Sequence, residues 1–269
     1  MKRLLFAFVF IVYSVSARAE LIAVDIVDSN TSTITKYYAG KKSKALIVFL
    51  PGGLGQFNFG SEKTDTTFHY SQTIKKLTDS NITSGRFDLV FLDSPYSLPV
   101  KCCQWYTPGV RGSDDHIKRI ESVINFYKKK TGLPIILMGH SNGTISQTEF
   151  YKYLQRNKKT DLINVLVFSG QRIESRIDDP INLPIIFIHH SKDQCNHTPY
   201  DGAKRHYNDL LKINKSHTFF ISVDGGKGEE GDQCMGHNTY HMIFESGDEY
   251  AKKLDKELII SLKINKFDR

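Results

Sequence analysis

Ser141 sits at the centre of Gly139-His140-Ser141-Asn142-Gly143, between an apolar run at residues 135–138 and a segment of helical pattern. A serine hydroxyl attacks a carbonyl only when a base takes its proton. Glycines two residues to either side let a strand turn abruptly into a helix, and the turn thrusts the hydroxyl above the sheet edge. The bare G-x-S-x-G pattern has many chance matches, and a tight Gly/Ser turn is its plainest reading. Its setting between a buried strand and a helix is what points to acyl transfer, with Ser141 as nucleophile.

The base must be an imidazole oriented by a carboxylate. When such an elbow tops a parallel sheet, the acid and then the histidine follow it along the chain. Asp193 stands just beyond the apolar run 184–189, at the carboxyl end of a strand, where sites in open sheets gather. Glu174 and Asp178 follow the preceding strand and are weaker choices; a turn-forming Asp is the ordinary alternative for Asp193. Farther on, Gly225, Gly226, Gly228 and Gly231 lead into Cys234-Met235-Gly236-His237-Asn238-Thr239-Tyr240-His241. This segment offers two bases, His241 and His237. Their i, i+4 spacing would also suit a metal pair on a helix, but no third ligand is marked, so no metal and no other cofactor is expected.

Two further features complete the machinery. An oxyanion needs main-chain donors: the N–H of Asn142 directly after the nucleophile, and one from Pro51-Gly52-Gly53-Leu54-Gly55, at Gly53 or Leu54. That loop lacks the spacing of either common phosphate-binding glycine motif. Cys195 lies two residues past Asp193, and Cys234 shortly before both histidines. If Asp193 touches the catalytic imidazole, these cysteines come within bridging reach, and a Cys195–Cys234 disulfide would staple the acid loop to the histidine loop. Cys102 and Cys103 are left to pair with each other, to stay free or to link another chain. A bridge between neighbours, with Cα atoms only about 3.8 Å apart, would be strained.

The elements that must position these groups alternate. Residues 21–27 and 31–38 read as an antiparallel pair, and 44–50 as a buried strand. A helix follows around 68–79, then a strand at 87–92 and a long helix from the cap Ser113 to about Lys130. After the elbow helix, to about Gln155, come strands at 163–168, 185–189 and 218–223, a helix at 200–213 and a last one from about Asp248. Apolar strands without alternation, each followed by a helix, predict an α/β fold: a doubly wound, mostly parallel sheet with helices on both faces and antiparallel N-terminal strands. Only about 15 residues separate the strand ending near Phe168 from the next, which leaves no room for a large lid. The irregular stretch 93–112, with three prolines, the cysteine pair and Trp105, has the length of a functional loop.

Lys2 and Arg3, an apolar run at 4–15 and Ala17-Arg18-Ala19 have the form of a signal peptide, residues 1–19. The run is too short to span a bilayer comfortably, so no stable membrane anchor is expected after cleavage. Residues 20–269 then make one domain, exported to the periplasm or secreted, an oxidising setting that suits disulfides. The net charge of +7 falls to +4 without Lys2, Arg3 and Arg18 (33 basic against 29 acidic residues), and the surplus is scattered. A nucleic-acid partner, which needs a concentrated basic face, is not expected. Oligomeric state is not readable from these features.

Together the motifs resemble the α/β-hydrolase superfamily over essentially the whole mature chain, and within it a group of exported bacterial serine hydrolases. The resemblance lies in Leu92-Asp93-Ser94-Pro95, Arg111-Gly112-Ser113, the elbow, His189-His190-Ser191-Lys192-Asp193-Gln194-Cys195, Asp232-Gln233-Cys234 and Tyr240-His241. It implies that the base is the histidine of a Tyr-His-Gly-Phe-like segment. That favours His241, although Met242 stands where the glycine would be. The implied activity is hydrolysis of an ester or related acyl bond of a small-molecule substrate through an acyl-enzyme. A peptidase or amidase on the same triad, and a silent binding protein that keeps the fold, are the competing readings.

Overall fold

The computed structural model describes residues 19–53, 55, 57, 59, 69–93, 108–214, 216–228, 234, 239–242 and 246–264. His237, Leu54, Cys102, Cys103, Trp105 and the expected signal peptide to residue 18 lie outside them.

Eight strands form one sheet in the order β1-β2-β4-β3-β5-β6-β7-β8. They are β1 (Glu20–Asp25), β2 (Ser32–Tyr38), β3 (Ala45–Leu50), β4 (Phe87–Leu92), β5 (Ile135–His140), β6 (Val165–Ser169), β7 (Ile185–His190) and β8 (Thr218–Val223). β1 pairs with β2 and β2 with β4 antiparallel, and every other pair is parallel. The expected mixed, doubly wound sheet is therefore present. Residues 170–184 join β6 to β7 without a helix, so no lid is inserted there.

The missing alternation in the central strands has a direct cause. β3 (ALIVFL) is buried at all six positions, because alternate residues feed two cores. Leu46, Val48 and Leu50 join one core, together with residues of helices α3 (Asp114–Thr131), α4 (Asn142–Arg156) and α5 (Tyr200–Ile213). Ala45, Ile47 and Phe49 join the other, with residues of α1 (His69–Lys75) and α6 (Gly247–Ser261). A strand apolar on both sides needs helices over both faces. β8, at the sheet edge, departs from this and mixes buried with half-buried residues.

Local signals set most boundaries. Ser113 accepts a bond from the His116 N–H at the start of α3, Asp114 and Asp115 lie in its first turn, and Gly132 closes it at φ 67°. These are favourable placements against the helix dipole and at a left-handed cap. Two boundaries differ from expectation. β6 begins at Val165, because Thr160–Leu162 coil into a 3-10 turn, and Pro108–Arg111 form a single helical turn, α2, inside the stretch read as irregular. Among the described residues no helix is long and apolar enough to cross a membrane.

Burial holds four imidazoles, His116, His140, His190 and His206, below the usual histidine range. His116, with Arg111 and Arg119 adding repulsion, falls to about 3. Unfolded, each would take a proton near about pH 6.5. The folded values are depressed, so the unfolded chain binds more protons in this window, and stability falls as pH drops from about 6.5 toward 3. The urea midpoint should therefore be lower at about pH 5 than at pH 7, and His116→Gln should flatten part of the difference. Equal midpoints would show that these rings carry charge in the folded protein.

Candidate active site

β5 ends at His140, α4 begins at Asn142, and Ser141 between them has φ 52° and ψ −122°. A non-glycine residue there costs about 1–3 kcal/mol, which the surroundings must offset. The Ser141 N–H donates to the Ser169 carbonyl at 3.0 Å, and the Ser141 carbonyl accepts from the Thr144 N–H at 2.9 Å and the Thr144 hydroxyl at 2.6 Å. Gln147 braces the turn from within α4: its Oε1 accepts from Gly139 N–H at 3.0 Å and its Nε2 donates to the Leu137 carbonyl at 3.2 Å.

The elbow glycines are required by backbone contact. A Cβ on Gly139 would lie 2.5 Å from the Gly143 carbonyl oxygen, and one on Gly143 would lie 2.0 Å from that of Leu50. A Cβ on Gly52 would meet the Ser141 Cβ at 2.9 Å, so the loop after β3 runs directly against the serine.

That loop is gripped from behind. Gly55 N–H donates to the Gly52 carbonyl at 2.9 Å, and the Gly53 carbonyl accepts from Arg111 Nη2 at 2.7 Å and Asn142 Nδ2 at 3.0 Å. Arg111, on α2, is 1% exposed and also donates to the Pro51 carbonyl and to Ser146 Oγ. Downstream, the Asp93 carboxylate accepts from the Phe57 and Phe59 N–H groups at 2.7 and 3.1 Å. The Asn142 N–H, first in its helix, is a donor without an intrahelical acceptor. Asn142 follows Ser141 directly, and its side chain meets the Gly53 carbonyl of the loop after β3; Leu54 lies outside the described residues.

Asp193 follows β7, and its side chain is 1% exposed. Its Oδ2 accepts from His241 Nδ1 at 2.8 Å, His189 Nε2 at 3.0 Å and Thr198 Oγ1 at 3.2 Å; its Oδ1 accepts from the Cys195 N–H at 2.9 Å. Burial would raise the carboxyl pKa. The facing His241 and the imidazole hydrogen bonds outweigh it and hold the group well below the usual carboxylate range. His241 lies in a 3-10 turn, Tyr240–Met242, and its Nδ1 also meets Thr198 Oγ1 at 3.0 Å. These bonds leave Nε2 over.

The ring of His241 stacks on that of His140, the residue before the serine, with centroids 5.0 Å apart. Gly170, at φ 49°, makes room for it: a Cβ there would lie 3.1 Å from the His241 Cε1. A disulfide joins Cys195 to Cys234, tying the Asp193 loop to the segment that precedes His241.

Of the residues singled out by sequence, Ser141, Asn142, Gly53, Asp193 and His241 gather at the carboxyl edge of the sheet. His237 lies outside the described residues. The weaker acids are engaged elsewhere, Glu174 with Arg172 and Asp178 with Arg176. Sequence reasoning gave no role to the supporting groups His189, Thr198, Arg111 and Gln147, although Arg111 and His189 stand in segments that carry the family resemblance. Among the described residues no three His, Cys, Asp or Glu side chains are arranged to hold a metal ion, and His189 and His241 each spend a nitrogen on Asp193.

No protein-family model and no curated protein matches the sequence. Solved structures do match in shape. The carboxylesterase EstE1 from a metagenomic library superposes with a TM-score of 0.61 at 13% identity, over 91% of this chain and 90% of its own. An esterase from Pyrococcus furiosus gives 0.60 at 12%, over 91% and 93%. Dienelactone hydrolase from Anabaena variabilis gives 0.58 at 9%, over 91% and 97%. Likeness at such low identity reports the fold, which is that of the α/β-hydrolases.

Gly143→Ala should cost about 3 kcal/mol or more, because its methyl would enter a backbone oxygen and the elbow cannot widen. Gly132→Ala, where nothing lies within 4 Å, should cost only the left-handed backbone penalty of about 1 kcal/mol. Similar urea midpoints for the two variants would show that the elbow gives way easily.

Proposed function

We propose, from the α/β-hydrolase fold, that this protein is a serine hydrolase that cleaves an ester bond with Ser141 as nucleophile, His241 as base and Asp193 as the orienting acid. The observation that carries the reading is the 2.8 Å bond from His241 Nδ1 to a buried Asp193, beside a serine in a strained strand-to-helix turn. The structural neighbours named as esterases and a dienelactone hydrolase support an ester over other acyl substrates.

In this mechanism His241 Nε2 accepts the Ser141 proton as Oγ attacks the substrate carbonyl. Asp193 keeps the Nδ1 proton in place and stabilises the imidazolium without taking a proton itself. The oxyanion is held by the Asn142 N–H and by a main-chain N–H of the loop 51–55, whose carbonyls Arg111 and Asn142 fix. The imidazolium then passes its proton to the leaving alkoxide, and an acyl-Ser141 ester remains. Water, deprotonated by the same imidazole, attacks this ester and releases the acid, and the serine recovers its proton.

A fluorophosphonate probe should label the mature protein on Ser141, and Ser141→Ala should abolish the adduct. The reading fails if no labelling occurs between about pH 6 and 9. His241→Ala should lower the rate on the order of 10³-fold or more, while His237→Ala should leave most of it. The reverse result would move the base to His237.

We further propose export with cleavage before Glu20. The leader pattern and the Cys195–Cys234 disulfide support it, since disulfides persist in oxidising compartments. N-terminal sequencing of the protein from a non-cytoplasmic fraction should begin at Glu20. Recovery of an uncleaved chain in the cytoplasm, with Cys195 as a free thiol, would contradict export.

A further inference from the structure

The catalytic reading uses one imidazole on Asp193, yet the structure places two there. His189, in β7, lies four residues before the acid, and its Nε2 reaches the same Oδ2 that His241 Nδ1 reaches, at 3.0 against 2.8 Å. Both side chains of the His189–Asp193 pair are 1% exposed. The other nitrogen of His189, Nδ1, is buried without a hydrogen-bond partner among the described residues.

These facts define the state of the ring. An ionised carboxylate only accepts, so the His189 proton must sit on Nε2. A second proton on Nδ1 would be a buried charged donor with no acceptor, which is costly. Bound to Asp193 through Nε2, His189 carries its ring proton on that nitrogen.

We propose that His189 is a positioning residue for the catalytic acid: a fixed neutral donor that orients Asp193 Oδ2 and draws part of its charge away from His241. The inference rests on the reading of Ser141, His241 and Asp193 as a triad. Its first consequence is geometric. With Cys195 N–H on Oδ1 and His189 on Oδ2, the carboxylate cannot rotate when His241 takes and releases its proton.

The second consequence is electrostatic. A donor shared with His241 lowers the negative charge that an imidazolium at His241 feels, so the charged base is held less tightly. The other titratable groups around the pair are placed differently. His140 stacks on His241 from the end of β5, and Tyr200, at the start of α5, sits edge-on to His189 at 5.8 Å. His190 turns to the Gly225 carbonyl at 2.8 Å, with Asp224 and Glu249 beyond it. Among the described residues only His241, His189 and Thr198 share Oδ2.

The test compares His189→Phe, which deletes the donor, with His189→Gln, whose amide nitrogen can replace Nε2. With a chromogenic short-chain ester, the midpoint of the acid limb of kcat/KM should rise by about 0.5–1 pH unit in His189→Phe, the worth of one buried hydrogen bond. Its kcat should fall about tenfold with KM little changed, because the carboxylate loses the donor that holds Oδ2 in line with His241 Nδ1 and the base is misplaced. His189→Gln should restore most of both. In the unaltered protein, 15N-histidine NMR should report His189 as the Nε2–H tautomer across the active pH range.

The proposal is overturned if His189→Phe leaves the acid limb unmoved or moves it down, if His189→Gln is no better than His189→Phe, or if NMR finds the Nδ1–H tautomer. Should His189→Phe fail to fold, His189→Gln and the NMR measurement still decide. Fluorophosphonate labelling of each variant separates the two levels. Absence of labelling in the unaltered protein defeats the triad itself, whereas labelling with an unmoved acid limb defeats only the role of His189.

Discussion

A carboxylate taken out of water keeps its charge only if donors replace the lost solvent. Asp193 meets that demand with four: the Cys195 N–H on one oxygen, and His241, His189 and Thr198 on the other. Each donor belongs to a segment that must be correctly placed first. β7 brings His189, the loop after it brings Cys195 and Thr198, and the turn before α6 brings His241. The site is thus a point where three parts of the chain are tied together, and the Cys195–Cys234 disulfide adds a covalent tie between two of them.

A second constraint is steric and acts on the backbone. The elbow stores strain at Ser141 and is kept closed by Gly139 and Gly143 packing against carbonyl oxygens. Its near neighbour is the loop after β3, pressed to the serine at Gly52 and held by Arg111 and Asn142. Parallel strands make this convergence natural. The carboxyl ends of β3, β5, β6 and β7 all open on one edge, so loops distant in sequence meet there.

Much of the architecture was legible because burial on both faces leaves an unbroken apolar signature. The runs at 44–50, 87–92 and 185–189 read as strands, and β3, β4 and β7 lie there, buried at every position; Ser113 marks the start of α3. Legibility failed where local signals were weak or cooperative. Ile163 is as apolar as a strand start but directly follows a 3-10 turn, and the single helical turn of α2 is too short to have a period.

From sequence alone came the types and order of the reactive groups: a serine between glycines, then an acid after a strand, then a histidine-bearing loop, with two cysteines spaced to link the last two. Those are properties of contiguous segments, where spacing and local conformation carry the information. Tertiary structure decided what no spacing encodes. It put His241 on Asp193, put a second imidazole on the same oxygen, and seated a buried arginine behind the loop that faces the serine. The first and the last of these contacts join residues dozens of positions apart, and all three exist only once the sheet has brought its carboxyl ends to one edge and excluded the water that would otherwise satisfy each group.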